Sequence, residues 1–490
     1  MPNPAGALLR AFDNPQWQWL LRYLVVGFAI CIAASVGLGG YSGMGVPPMY
    51  GDFEAQRHWL EITQHLPPKQ WYFYDLQWWG LDYPPLTAYH SWVLGKVGSW
   101  INPEWFALDS SRGYESAALK AFMRQTVLAS EALTYLPAVF FYSLQARELF
   151  DLPVLDWALQ LGTVLLQPTL LLVDNGHFQY NSVMLGLFVF SLYFLGSKHL
   201  VPASICFVSA MFFKQMALYY SPVIFFAILG CTTSIRPLNI KFGSLVAVGT
   251  TVIVTCLLLL CPFLQKDLLA QLVIRVFPFS RGLWEDKVAS LWCTANTFIK
   301  FKVLFSDAQL RQFALIATLV GMSPSCIQAY RRPTKTVLPW CFASCSWAFF
   351  LFSFHVHEKN VLLPLMPTTL LFFTSDQTTR AMVAWINNVA YFSMWPLLKR
   401  DGLAWQYCIV VILWNYLFGL WKAQPTRIFH QLVVAGSYAA IGLVCITEKF
   451  GLMPMLDKYP DLWTVANITI SFACFVYFWL WQTVAMLLTK

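Results

Sequence analysis

The chain has 490 residues, 58% hydrophobic and 17% aromatic but only 11% charged, where a soluble domain carries about 25% charged residues. This excludes a soluble globular protein. A formal charge of +8 comes without a dense basic tract or basic amphipathic helix, so it reflects membrane topology and lipid headgroups and not nucleic acid.

Runs long enough to cross a hydrocarbon core of ~30 Å recur from residues 23–39 to residues 468–488, and about 14 can be drawn. They are continuous and rich in Leu, Phe, Val and Ala, whereas barrel strands would be short and alternating. The expectation is an all-α, polytopic membrane protein, one domain over residues 1–490. The lead before the first run is polar and Trp-rich, carries Arg10 and Arg22 and shows no small-residue cleavage site, so that run reads as an anchor. Arg147, Lys198, Arg236, Lys241, Arg331, Arg332, Lys335, Lys422 and Arg427 fall in candidate short cytoplasmic loops, which sets the N-terminus in the cytoplasm. Lys399 and Arg400 fall on the opposite side, against the rule. The 12 cysteines sit mostly inside apolar runs, without Cys-x-x-Cys spacing, and read as small core residues.

With that topology, residues 40–120 form a long non-cytoplasmic loop. It opens with Gly51-Asp52-Phe53-Glu54-Ala55-Gln56-Arg57-His58-Trp59 and continues to Trp79-Gly80-Leu81-Asp82-Tyr83-Pro84-Pro85. Charges so close to hydrocarbon should face water, a cavity or a substrate. The Trp and Tyr content predicts short amphipathic helices lying against the bilayer. A second long luminal loop at residues 265–309 is similar on a smaller scale. On the same face fall Asp174-Asn175-Gly176-His177-Phe178-Gln179-Tyr180-Asn181, Phe213-Lys214-Gln215-Met216, the charged run from Ser280 to Lys287, and Phe354-His355-Val356-His357-Glu358-Lys359. Rare residue types gathered at one end of many helices read as one site.

Taken alone, these residues leave alternatives open. Asp52 is either a carboxylate at a cavity mouth or the N-cap of the first loop helix. Glu54 points elsewhere on a helix and reads as structural first, with sugar hydroxyls as the alternative. Asp82 before Tyr-Pro-Pro fits a turn as well as a site. Lys214, flanked by Met211-Phe212-Phe213 and Met216-Ala217-Leu218, either snorkels to headgroups or binds an anion. His177 and Gln179, with Asp174 and Asn175, suit sugar hydroxyls or a helix cap. His357 and Lys359 fit the macrodipole of a helix terminus or an anion. Arg281 either grips a phosphate bidentately or pairs with Glu285 or Asp286. Asp52, Glu54 and His58 can be drawn as a divalent-ion site, with weak support.

The runs from Tyr50 to Trp59 and from Gly80 to Ala88, Gly176 to Asn181, Phe213-Lys214-Gln215 and Val356-His357-Glu358-Lys359 occur in this order over nearly the whole chain. Together they resemble the dolichyl-phosphate-glucose-dependent glucosyltransferases of the endoplasmic reticulum, within the GT-C superfamily. Gln56-Arg57-His58-Trp59 and Thr87-Ala88-Tyr89-His90 are similar to the members that add the first glucose, in α-1,3 linkage, to the nine-mannose lipid-linked oligosaccharide. The sibling that adds the second glucose differs only in acceptor.

The resemblance implies a GT-C membrane fold with a luminal active site in the endoplasmic reticulum membrane. It implies dolichyl-phosphate-glucose as donor and dolichyl-diphosphate-linked Man9GlcNAc2 as acceptor, a β-linked donor and an α-linked product, hence inversion. A phosphate leaving group needs cations or hydrogen-bond donors more than a strong acid, and an inverting displacement needs a base on the opposite face. The resemblance makes Asp52 that base and His357 the donor-phosphate contact, supported by Lys359 and Lys214, and Arg281 joins this set as a phosphate contact from its own charged run. Glu54, Asp82, His177 and Gln179 are left as candidate sugar contacts. With one phosphate to neutralise and these cations at hand, neither metal nor cofactor is expected. A secondary transporter is the reading from another class, but transporters place ionisable groups near the midplane on broken helices and often show repeats, and no repeat is visible here. Asn467-Ile468-Thr469 is a sequon at the start of the last apolar run, a poor position for an acceptor.

Overall fold

The computed structural model describes residues 3–235, 238–277, 287–354, 356–450 and 459–489. Among the described residues, eight helices are long and apolar enough to cross a membrane, including Gln18–Val36, Ala117–Leu149, Val154–Phe178 and Leu462–Leu488. Four shorter apolar helices accompany them: Asn181–Gly196, Leu200–Phe213, Leu338–Phe352 and Ala404–Leu417. Hydropathy alone leads one to expect about 14 spans. Other apolar runs fold as helices that are too short, such as Leu362–Leu370, or too polar, such as Gln377–Ser393 with its Arg380, Asn387 and Asn388. The strands among the described residues are Thr233–Ile235 and Leu238–Ile240, an antiparallel pair with Ser234 opposite Asn239. The architecture is all-α.

A helix apolar on every side is either enclosed by protein or bathed in lipid, and both kinds occur. The Val154–Phe178 span is 78% buried, whereas Phe242–Phe263 is 6% buried and Ile428–Phe450 buries only Ser437 and Val444. The first lies at the centre of the bundle and the other two face hydrocarbon. Asn181–Gly196 packs against Leu200–Phe213 and against Tyr135–Leu149. Its Gly186 makes the second contact close: a Cβ there would stand 2.7 Å from the backbone of Thr134 and Tyr135, the kind of approach small residues permit between membrane helices.

The first long loop folds as expected into short helices, chiefly Gly51–His65 and Pro85–Ile101. The second helix exposes Trp92, Val93, Val97 and Trp100, an apolar face suited to the membrane surface. The charged run of the first helix departs from expectation, because most of it turns inward. Arg57 is fully buried and donates to Glu54 Oε1 at 2.6 Å, Glu61 Oε2 at 2.7 Å, Ser111 Oγ at 2.6 Å and the Trp105 carbonyl at 3.2 Å. His58 Nδ1 lies 3.0 Å from the same Glu61 oxygen. Charges paired this closely tolerate burial, so the cluster serves as the polar core of the loop. Burial works against ionisation of Glu61, but His58 and Arg57 outweigh it and hold its carboxyl down at about 2.

The second long loop docks on the first. From the Lys266–Val276 helix, Gln271 donates to the Tyr72 carbonyl at 3.0 Å, and Arg275 donates to the carbonyls of Gly80 at 2.7 Å and Leu81 at 3.2 Å.

Candidate active site

Asp52 stands in the first turn of the Gly51–His65 helix, after two residues in left-handed conformation, Tyr50 at φ 57° and Gly51 at φ 72°. Only glycine suits the second position, since a Cβ would meet the Ser42 backbone at 2.8 Å. Ser42 Oγ also accepts from the Asp52 amide at 3.3 Å. The Asp52 carboxylate does not cap its own helix. Its Oδ2 accepts from His177 Nε2 at 3.0 Å, from Gln179 Nε2 and from Lys359 Nζ. Its Oδ1 has no hydrogen-bond partner among the described residues, and the side chain keeps 21% of its surface exposed. Burial opposes ionisation, yet Lys359 and His177 outweigh it and hold the carboxyl well below the ordinary carboxylate range.

His177 and Gln179 reach one oxygen because of the backbone between them. Leu171–Phe178 is a π-helical stretch, a wide turn that recurs at functional sites. Phe178 then takes φ 91°, a costly conformation for a bulky residue. It is held there by complete burial and by edge-on packing against Phe53 and Tyr180, with centroids at 4.9 and 5.6 Å. Arg124 ties the two segments together, donating to the Gly40 carbonyl at 2.8 Å and the Gly176 carbonyl at 2.6 Å. Behind this, Lys214 is buried and donates to Gln179 Oε1 and Asn181 Oδ1, both at 2.7 Å, with its ammonium 4.7 Å from the centre of the Tyr83 ring. Asn181 in turn donates to Asp174 at 2.8 Å.

Asp52, His177, Gln179, Asn181, Lys214 and Lys359 line a cavity of about 1050 Å³. Of the residues singled out from sequence, it brings together Asp52, Asp82, His177, Gln179, Lys214, His357 and Lys359. Glu54 is not among them: it accepts from Arg57 and from the Gly113 amide at 3.1 Å inside the loop core. Glu54 and His58 therefore do not converge with Asp52 in the way a shared ion would require. Arg281 lies outside the described residues. His177 and Gln179 are bonded to Asp52, and Lys214 to Gln179.

Three cavity residues escaped the sequence reading. Asp401 meets His177 Nδ1. Arg400, beside it on the exposed end of the Trp395–Arg400 helix, makes no ion pair among the described residues. Arg275 clamps the Gly80-Leu81-Asp82 turn from the second loop. For the first two the only trace was the charged turn Lys399-Arg400-Asp401-Gly402 on the face where basic residues are disfavoured.

Chemically, the arrangement offers one ionised carboxylate with a saturated oxygen and an open one, cations beside it, and an apolar wall that includes Met184, Phe349, Leu362 and Leu363. It can accept a proton at Asp52 Oδ1 and stabilise an anion nearby.

Residues 19–481 match the ALG6, ALG8 glycosyltransferase family. A Saccharomyces cerevisiae protein named dolichyl pyrophosphate Man9GlcNAc2 alpha-1,3-glucosyltransferase is 43% identical over 98% of this chain and 94% of its own length. A Rattus norvegicus protein of the same name is 37% identical over 94% of this chain and 95% of its own. The crystal structure of ArnT from Cupriavidus metallidurans bound to undecaprenyl phosphate aligns with 94% of this chain and 77% of its own, at 12% identity and a TM-score of 0.44.

Proposed function

The chain belongs to the ALG6, ALG8 glycosyltransferase family, and from that premise we propose that it transfers glucose from dolichyl-phosphate-glucose to the terminal mannose of dolichyl-diphosphate-linked Man9GlcNAc2, in α-1,3 linkage. The reaction takes place in the endoplasmic reticulum membrane with the cavity open to the lumen. The observation that carries the reading is the state of Asp52: ionised, fixed through Oδ2 by three donors, and open at Oδ1.

The acceptor hydroxyl oxygen attacks the anomeric carbon of the β-linked donor. The bond from that carbon to the phosphate oxygen breaks, dolichyl phosphate leaves with the electron pair, and the hydroxyl proton passes to Asp52 Oδ1. One inversion gives the α linkage. His177 and Gln179 act as positioning residues for the base, and Lys214 positions Gln179. Arg400, His357 and Lys359 receive the departing phosphate, with Arg281 kept in this set by its place in the sequence. Drawing Lys359 from Asp52 toward the phosphate removes a cation from the base and so raises its basicity when the proton must be taken. This reading requires no metal, since protein cations carry the phosphate charge.

The test is transfer by the purified chain with synthetic donor and lipid-linked Man9GlcNAc2. The expected product is one hexose heavier and α-1,3-linked. Failure to form it with an acceptor of this length, or transfer only to an acceptor already bearing one glucose, would overturn the assignment.

A further inference from the structure

The main cavity has a smaller neighbour of about 350 Å³. The two share the Trp395–Arg400 helix: Arg400 and Asp401 line the first cavity, Trp395 and Lys399 the second. Glu448 crosses the floor, accepting from Trp395 Nε1 at 2.9 Å and Lys399 Nζ at 2.7 Å. Trp463 and Asn467, from the Leu462–Leu488 helix, complete the wall.

Asn467 is only 2% exposed and gives its amide to the Phe392 carbonyl at 2.8 Å. Its Oδ1, like Trp463 Nε1, is buried without a hydrogen-bond partner among the described residues. An unmet acceptor and an unmet donor on two residues that line one cavity are expensive to leave so. The same burial removes Asn467 from the glycosylation that its sequon suggests.

The chemistry narrows the ligand. The carboxylate and ammonium are already paired, so the cavity favours neither an anion nor a cation. The lining offers both donors and acceptors and includes two indoles, Trp395 and Trp463. A neutral polyhydroxylated ring satisfies both, since each hydroxyl donates and accepts while the C–H face lies on an aromatic plane. We propose that this cavity is a second carbohydrate subsite, holding a pyranose unit of the acceptor glycan one helix away from the point of transfer. The proposal rests on the reading that the acceptor is a lipid-linked oligosaccharide.

The test pairs equilibrium binding of radiolabelled free Man9GlcNAc2 oligosaccharide to the purified full-length chain with transfer kinetics. Two variants are used: Glu448→Gln, and Trp463→Phe, which keeps an aromatic plane and loses the N–H. Each should weaken oligosaccharide binding and raise acceptor KM about tenfold, the loss expected for one well-made hydrogen bond, with donor KM and kcat unaltered. Monodisperse variants that transfer glucose with unchanged acceptor KM would sink the subsite and leave the transfer reading standing. A wild-type chain that binds the oligosaccharide, loses it in both variants, and transfers no hexose would do the reverse.

Discussion

Asp52 and Asp401 face the two nitrogens of one imidazole. His177 Nε2 lies 3.0 Å from Asp52 and its Nδ1 meets Asp401, so the doubly protonated ring is the form that satisfies both carboxylates. With Lys359 on Asp52, two anions and two cations cancel, the condition under which buried charge is tolerated.

Asp52→Asn should leave the chain folded and monodisperse while cutting transfer by at least about 10²-fold. The amide keeps the size and still accepts a hydrogen bond through its oxygen, but it cannot take a proton. Turnover near the wild-type rate would move the base to another carboxylate in the cavity, Asp82 first.

Asp401→Asn separates positioning from bracing. Without its anion the His177 imidazolium is less supported, Asp52 loses part of the field that holds it down, and its carboxyl rises. The acid limb of the pH–rate profile should therefore move to higher pH, with transfer reduced about tenfold at neutral pH. A slower enzyme with an unmoved acid limb would reduce Asp401 to a structural contact.

Arg400→Gln and His357→Ala should each raise donor KM about tenfold with acceptor KM unchanged, because charge-assisted contacts to phosphate are lost. Lys359→Gln should lower kcat as well, since that ammonium touches the base. Wild-type activity should survive chelator. Activity that vanishes with chelator and returns with magnesium or manganese would replace this account with a metal-assisted one.

Glu61 predicts an acid stability window. Folding depresses its carboxyl from 4.5 to about 2, so its contribution is fully present above about 4.5 and fades as the pH falls toward 2. Thermal unfolding of the wild type should weaken across that window. Glu61→Gln should be less stable at pH 6 and show a flatter slope below it; equal slopes would contradict the pairing.

The membrane-embedded, all-α character was legible because lipid demands long apolar runs with internally satisfied backbones. Side-chain direction was legible only in part. Two positions from Asp52 on one helix, Glu54 reads as pointing elsewhere and as structural first, and it does turn into the loop core, where Arg57 and the Gly113 amide meet it. His177 and Gln179 looked like sugar ligands by type, but the positive φ of Phe178 aims both at Asp52. Asp401 was hidden for the same reason: its partner lies in another helix, and a lone carboxylate in a charged turn carries no period or spacing to announce it.

The wide turn over Leu171–Phe178 also bears on how this chain can change in length. A π segment holds one residue more than an α-helix of the same span. Deleting one residue between Leu171 and Asn175 would therefore leave a regular helix of the same span, with the residues beyond it in place and His177 still on the side of the carboxylate. The segment is open to change in length as well as by substitution.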